Sequence, residues 1–261
     1  MLRSLHTAAT GMNAQELKMN VISNNLANTS TTGFKKGRAE FEDLLSERLR
    51  SAEAPDPRGG TSPTALEVGL GVRAGATTRN FGQGDLINTG NPLDLAIEGH
   101  GFFQVSRPNG NLAYTRAGNF MVDAQGRLVT QNGHLIEPSI EIPEDATTIE
   151  MRQDGTILAR VPNRTDPVEV GNIELVLFPN PGGLHAIGNN LMEASTAAGQ
   201  PRLTRPGEEG AGQITQGFLE GANVKAVEEM IGLITTQRSY EMNSKVIQTA
   251  DQMLQRLSQM R

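Results

Sequence analysis

The sequence predicts an α+β fold: an antiparallel, coiled-coil-like bundle of N- and C-terminal helices, a central all-β domain, and an extended connector. Three observations predict it. Apolar residues recur in steps of three and four at both ends of the chain, which puts them on one stripe of an α-helix. In the middle, short apolar runs alternate with Gly- and Asn-bearing turns roughly every eight to twelve residues, as in an antiparallel β domain. Between the first helix and that region lies a stretch whose centre, Ala54-Pro55-Asp56-Pro57-Arg58-Gly59-Gly60, has the composition of a linker.

The first helix is carried by Leu5, Ala8, Met12, Met19, Ile22 and Leu26, with Gln15 as a polar interruption. It should stop within Asn24 to Gly33, because Asn, Ser and Thr side chains compete for backbone hydrogen bonds and Gly33 suits a left-handed turn. The segment 34–50 reads as amphipathic again, with Phe41, Leu44, Leu45 and Leu49 on one face. Strand-like pieces then follow at Leu93–Glu98, Phe102–Val105, Phe120–Val122, Leu128–Thr130 and Leu135–Ile136. More lie at Ile149–Met151, Thr156–Val161, Val168–Val170 and Ile173–Phe178. Asn109-Gly110 is a type I′ hairpin signal, and Gln125-Gly126 and Asn132-Gly133 mark further turns. Pro179 to Gly210 reads as loop and return path.

The last helix runs from Val224 to Met260 in two series: Val227, Ile231 and Ile234, then Tyr240, Ile247, Ala250, Leu254 and Leu257. The two are out of heptad register, an offset that resembles a stutter in a helical seam. One apolar stripe per helix is small against the entropy of ordering so many residues. Both ends therefore call for further partners, and identical neighbouring chains are the natural supply. On periodicity alone, a helical hairpin packed on its own chain's core is the competing reading.

Composition narrows the classes. The chain has 261 residues, no Cys and no Trp, so disulfides and thiolate metal sites are excluded. No run approaches the roughly 18 apolar residues of a membrane-spanning helix. The first residues lack the continuous apolar core of a cleaved signal peptide. Net charge is −6, but residues 51–219 hold eleven Arg against nineteen acids, while all five Lys sit in the end segments. An acidic middle disfavours nucleic acid, and nearly neutral ends suit close packing of many copies.

Three separated motifs resemble those of the bacterial flagellar rod and hook (axial) protein family. The first is Asn24, Asn25, Leu26, Ala27 and Asn28 followed by Gly33, Phe34 and Lys35. The second is Thr89 to Ile97 with Gly99-His100-Gly101-Phe102-Phe103; the third is Asn223-Val224 with Gln237, Arg238, Tyr240 and Asn243. Total length and the stretch 43–72 resemble the distal-rod branch most. The resemblance covers essentially the whole chain. It implies a structural subunit, not an enzyme, that polymerises into a helical tube acting as drive shaft from motor to hook. It implies proximal rod and hook proteins at the tube's ends, peptidoglycan (P) and outer-membrane (L) ring proteins around it, and a rod cap. It places the rod of the basal body across the periplasm, with subunits exported through the flagellar type III channel without a cleaved signal peptide. Residues 1–30 and 224–261 would then form the polymer core, 31–75 and 206–223 the connector, and 76–205 the outer β-rich domain. Inter-subunit packing would fall to Leu5, Met12, Met19, Ile22, Leu26, Val227, Ile231, Ile234, Tyr240, Ile247, Leu254 and Leu257.

No catalytic grouping is legible. His6, His100, His134 and His185 have no metal-ligand spacing, and Gly82-Gln83-Gly84 and Gly99-His100-Gly101 are too short for a dinucleotide loop. Asp94 and Glu98 read as solvent-facing neighbours on an alternating strand, and Glu241 and Lys245 as a helix-surface pair. The expectation is no cofactor, no metal and no nucleic acid. A proximal rod or hook subunit is the alternative within the family. Outside it stands a secreted β-sandwich enzyme or glycan-binding module, which would need convergent acids or aromatics.

Overall fold

Residues 2–50, 65–162, 164 and 166–259 are described by the computed structural model, without the side chains of Leu2, Arg50 and Leu257. The Pro/Gly centre 54–60 and the expected packing of Leu257 therefore lie outside the described residues. The chain divides into two units, one of residues 1–27, 37–78 and 225–261, the other of 28–36 and 79–224.

The first unit holds the two long helices, α1 (Leu2–Ala27) and α2 (Ala226–Gln259). Acidic Glu228 and Glu229 in the first turn of α2 and Arg256 in its last complement the helix dipole. The helices lie against each other antiparallel: Asn25 meets Glu229, Ile22 meets Gly232, and Gly11 meets Asn243. Their seam is rich in small and polar groups, with Ile22 among them. On α1, Ala8, Gly11, Ile22 and Asn25 stand at steps of three, eleven and three; on α2, Glu229, Thr236, Asn243 and Ala250 repeat every seven residues. Glu229, Thr236 and Ala250 are buried. A Cβ on Gly11 would stand 3.0 Å from the Asn243 amide, so glycine permits this approach at a helix-propensity cost of about 1 kcal/mol.

The other described residues of this unit are mostly extended. Strand Gly37–Asp43 pairs with Val72–Arg79, and Glu47–Arg50 pairs antiparallel with Leu66–Val68. The helix-like face of Phe41, Leu44, Leu45 and Leu49 is thus corrected: Phe41 and Leu49 lie on strands, and Leu44 and Leu45 in the connection between them. Leu45 is 87% exposed and Leu49 51%, so no common buried face holds these residues in a helix. Cross-strand ion pairs, Arg73 to Glu42 at 2.8 Å and Arg48 to Glu67 at 2.9 Å, brace the ribbons at their surface.

The second unit is built on strand Phe102–Ser106. One edge pairs with Leu112–Thr115; the other pairs with Leu135–Glu137 along its later half and Leu175–Leu177 along its start. Alternation puts its side chains into two cores. Phe103 and Val105 join Leu95, Ile97, Phe120 and Leu175 in the larger, whereas Phe102 joins Tyr114, Val176 and Phe178 in the smaller. Thr148–Met151, Thr156–Arg160 and Val168–Asn172 form a separate three-stranded sheet.

Four hairpin turns share one form. Arg107, Asp123, Thr130 and Arg152 each donate a backbone N–H to the carbonyl four residues on and accept one from the glycine three residues on. That is a type I turn closed by a left-handed glycine bulge, so Asn109-Gly110 makes its hairpin without the expected type I′ geometry. The segment 179–210, read as loop, carries strands His185–Gly188, Leu191–Glu193 and Arg202–Thr204. His185–Gly188 pairs with its neighbour Leu191–Glu193, whereas Leu191–Glu193 and Arg202–Thr204 also pair at a distance, with Leu112–Thr115 and Leu175–Leu177, a signal that local periodicity does not carry.

Candidate functional site: buried polar junctions and an exposed helix face

In the first unit Asn25 acts as a peptide mimic. Its side-chain amide donates to the Gly37 carbonyl at 2.9 Å and its Oδ1 accepts the Gly37 N–H at 2.9 Å. The same amide reaches Glu229 of α2 at 3.2 Å. One carboxamide thereby joins α1, the first strand and α2, with 2% of its surface exposed.

In the second unit Glu220, at the end of strand Phe218–Glu220, is enclosed by donors. Its Oε1 accepts from Lys35 Nζ at 2.7 Å and the Gly84 N–H at 2.9 Å, and its Oε2 faces Arg116 Nε at 3.2 Å. Lys35 also donates to the Gly82 carbonyl at 2.8 Å, and Arg116 to the Gly99 carbonyl at 2.6 Å. All three side chains are shut off from solvent, so two cations share one carboxylate in a low-dielectric setting. Burial pushes the Lys35 ammonium below its ordinary range, with Glu220 opposing and Arg116 adding to the fall. Burial lowers Arg116 likewise, again against Glu220.

Asn223 completes the junction. Its Oδ1 accepts the Lys36 N–H at 2.7 Å, and its amide donates to the carbonyls of Asn80 and Gly82 at 2.8 and 2.9 Å. Gly33 donates to the Glu220 carbonyl at 2.7 Å and sits at φ +69. A Cβ there would meet the Ala117 nitrogen at 2.6 Å, which is why the motif has glycine at this point.

The motif residues therefore divide. Asn25, Gly33 and Lys35 are buried parts of these junctions, and Asn243 packs at the helix seam opposite Gly11. Asn28 accepts from the Thr31 hydroxyl at 3.1 Å and turns the chain after α1, while Leu26 and Phe34 are half-buried. Asn24, Ala27, Gln237, Arg238 and Tyr240 are exposed. Glu220, Arg116, Gly11 and Gly232 escaped sequence reading. A lone charge in or just after a strand gives no periodic signal, and Gly in a helix reads as a mere weakness.

The expected packing residues occupy two faces of α2, not one shifted seam. Val227, Ile231 and Ile234 project opposite to Glu229 and Thr236 and are 65%, 57% and 48% exposed. Met230 extends the same row at 46%. Ile247 and Leu254 lie instead on the side of the helix seam, half-buried, near Ala250. On α1, Ile22 is buried and Leu5, Met12, Met19 and Leu26 are half-buried. Asp94 is also corrected: it is buried and accepts from the Thr89 hydroxyl at 2.6 Å and the Asn91 amide at 3.1 Å, while Glu98 is exposed. No cluster of His, Cys, Asp and Glu able to hold a metal occurs among the described residues, and no described helix is long and apolar enough to cross a membrane.

A helical unit made from both chain ends, an outward apolar row on one helix and a separate β unit define a structural subunit made for association. The family model described as "Flagella basal body rod protein" matches residues 5–35. The "Flagellar hook protein FlgE/F/G D1 domain" matches 96–159 and the "Flagellar basal body rod FlgEFG protein C-terminal" 215–260. Over 261 residues, all of both chains, the sequence is 48% identical to the flagellar basal-body rod protein FlgG of Caulobacter vibrioides. Identity to the FlgG of Bacillus subtilis is 38% over 264 residues, 98% of each chain. The flagellar hook protein FlgE of Helicobacter mustelae is 44% identical over 138 residues, 52% of this chain and 30% of that protein. The chain belongs to the FlgG family of flagellar basal-body rod proteins.

Proposed function

We propose that this chain is a structural subunit of the distal rod of the flagellar basal body, polymerising into a helical tube that transmits torque from motor to hook. Full-length similarity to FlgG proteins supports the distal-rod reading over a hook subunit, whose match spans only 30% of that relative. The row Val227, Met230, Ile231 and Ile234 carries the assembly reading. Four large apolar side chains on one exposed helix face are a row that a soluble monomer gains nothing by displaying.

In this reading, copies bury that row against neighbours and extend the α1–α2 pair into a coiled-coil-like bundle, with Leu5, Met12, Met19, Tyr240 and Leu257 among the packing groups. Residues 1–30 and 224–261 form the polymer core, 31–75 and 206–223 the connector and 76–205 the outer domain. Proximal rod and hook proteins adjoin the tube's ends. Ring proteins of the peptidoglycan and outer-membrane layers surround it as it crosses the periplasm, a cap guides its growth, and export proceeds without a cleaved signal peptide.

The test is an I231D/I234D double variant, purified and compared with wild type by circular dichroism and sedimentation. It should retain the helix content and melting of the monomer while losing high-molecular-weight assemblies. A variant that assembles as readily as wild type would refute the assignment of this face.

A further inference from the structure

The Lys35–Glu220–Arg116 cluster leaves one donor over. Arg116 Nε faces Glu220 and one terminal nitrogen donates to Gly99, but Nη1 is buried with no hydrogen-bond partner among the described residues. A buried charged donor left unmade costs more than a neutral one, and two cations against one carboxylate leave local positive charge in a net-acidic region.

Arg116 also lines a cavity of ≈ 80 Å³ walled by Phe81, Phe102 and Phe178, with His100 at its side. Its guanidinium carbon lies 5.8 Å from the Phe102 ring centre, so the aromatic face holds the group in place. The volume takes two or three waters or one small oxyanion. A wider cleft of ≈ 460 Å³ shares His100 and Phe178 with this cavity and adds Gln200, Arg202 and Glu209. The inner part is thus cationic with apolar walls, and the outer part has room, a second guanidinium and one carboxylate, that of Glu209.

We propose that this cavity is a carboxylate-binding site, in which the ligand's carboxylate engages Arg116 and the rest of the ligand extends toward Arg202. Carboxylate suits the site because its planar oxygens match guanidinium donors and its charge balances the second cation. The carboxylate has two available sources, a free organic acid or an acidic side chain of a second copy of this chain.

The experiment uses the full chain at a concentration where it is monomeric, so its outcome does not depend on assembly. Sodium acetate and sodium succinate are titrated against sodium chloride at equal ionic strength, and the Arg116 guanidinium resonances are followed by NMR. Arg116→Gln assigns them, and Arg202→Gln, at an exposed position, serves if the first variant fails to fold. The expected result is a saturable shift with acetate and succinate but not chloride. Arg202→Gln should weaken succinate about two- to fivefold and leave acetate unchanged. Equal response to chloride, or a shift that never saturates, would overturn the proposal and leave the cavity to water. Repeating the acetate titration on assembled protein separates the sources: a lost response supports a neighbour's side chain, and a retained one supports a free acid.

Discussion

Lys35 Nζ and Glu220 Oε1 lie 2.7 Å apart with both side chains at 0% exposure, joining two segments separated by 185 residues. A pair so enclosed is a specificity device more than a source of net stability. Desolvating both ions offsets most of their attraction, yet removing one leaves the other stranded.

Glu220→Gln should destabilise the second unit by about 3–5 kcal/mol, since Lys35 and Arg116 would remain buried without an anion. Lys35→Met should cost less, about 1–3 kcal/mol, because Arg116 and Glu220 stay paired, Glu220 Oε1 keeps the Gly84 N–H and the Gly82 carbonyl keeps the Asn223 amide. Urea unfolding of both variants measures the difference, and the reverse order would contradict a two-cation cluster.

Gly33→Ala should lower stability by at least about 2–3 kcal/mol. The substitution adds a side chain at φ +69 and sets its Cβ 2.6 Å from the Ala117 nitrogen, where neither backbone can yield cheaply. The fluorescence of Tyr114, in a Tyr240→Phe background, follows the second unit alone. An unchanged urea midpoint would show that the turn relaxes freely.

Asn25→Leu preserves approximate volume but deletes both bonds to Gly37 and the one to Glu229. The expected loss is about 2–3 kcal/mol, with faster hydrogen exchange at the Gly37 amide. If that amide stays as protected as in wild type, the carboxamide is not what secures the strand.

Stability should depend on pH at both extremes. For Asp123, burial raises the carboxyl pKa, but bonds from the Arg127 backbone and side chain and from Gln125 outweigh it, and the net shift is downward. Asp154 is lowered chiefly by the Thr156 N–H. Groups depressed in the folded state contribute stability that is fully present above the usual carboxylate range and lost as pH falls through their folded values. Lys35 is depressed too, so the unfolded chain binds more protons between its folded value and the ordinary ammonium range. Stability from this group should therefore rise with pH across that window, and Lys35→Met should flatten the rise. Melting series from acid to alkaline pH check both limbs.

Gly11→Val tests the helix seam separately from the outer face. Overpacking against Asn243 should cost about 1–3 kcal/mol and reduce α-helical signal in the monomer. A variant as helical and stable as wild type would mean the helices can separate at that point without loss.

The sequence by itself determined the element types wherever a local pattern was long enough to speak. Steps of three and four located both terminal helices, and glycines at turn positions located the hairpins. Strands such as Phe120–Val122 and Leu128–Thr130 fell where short apolar runs met those turns. The family motifs are local runs of residues and are legible without the fold. Tertiary structure alone decided what each face and each charge is for. The two apolar series of α2 looked like one displaced seam because periodicity records that a face is apolar, not what covers it. The first series faces outward, and beside Ala250 the helices meet through Gly11, Thr236 and Asn243, residues that no hydrophobic pattern marks. Lys35, Arg116 and Glu220 are ordinary surface residues by type, and they become a buried cluster only because long-range strand pairing carries them out of water together. Burial of charge is a property of the closed fold, set by residues far apart in the chain, and so it has no local signature to read.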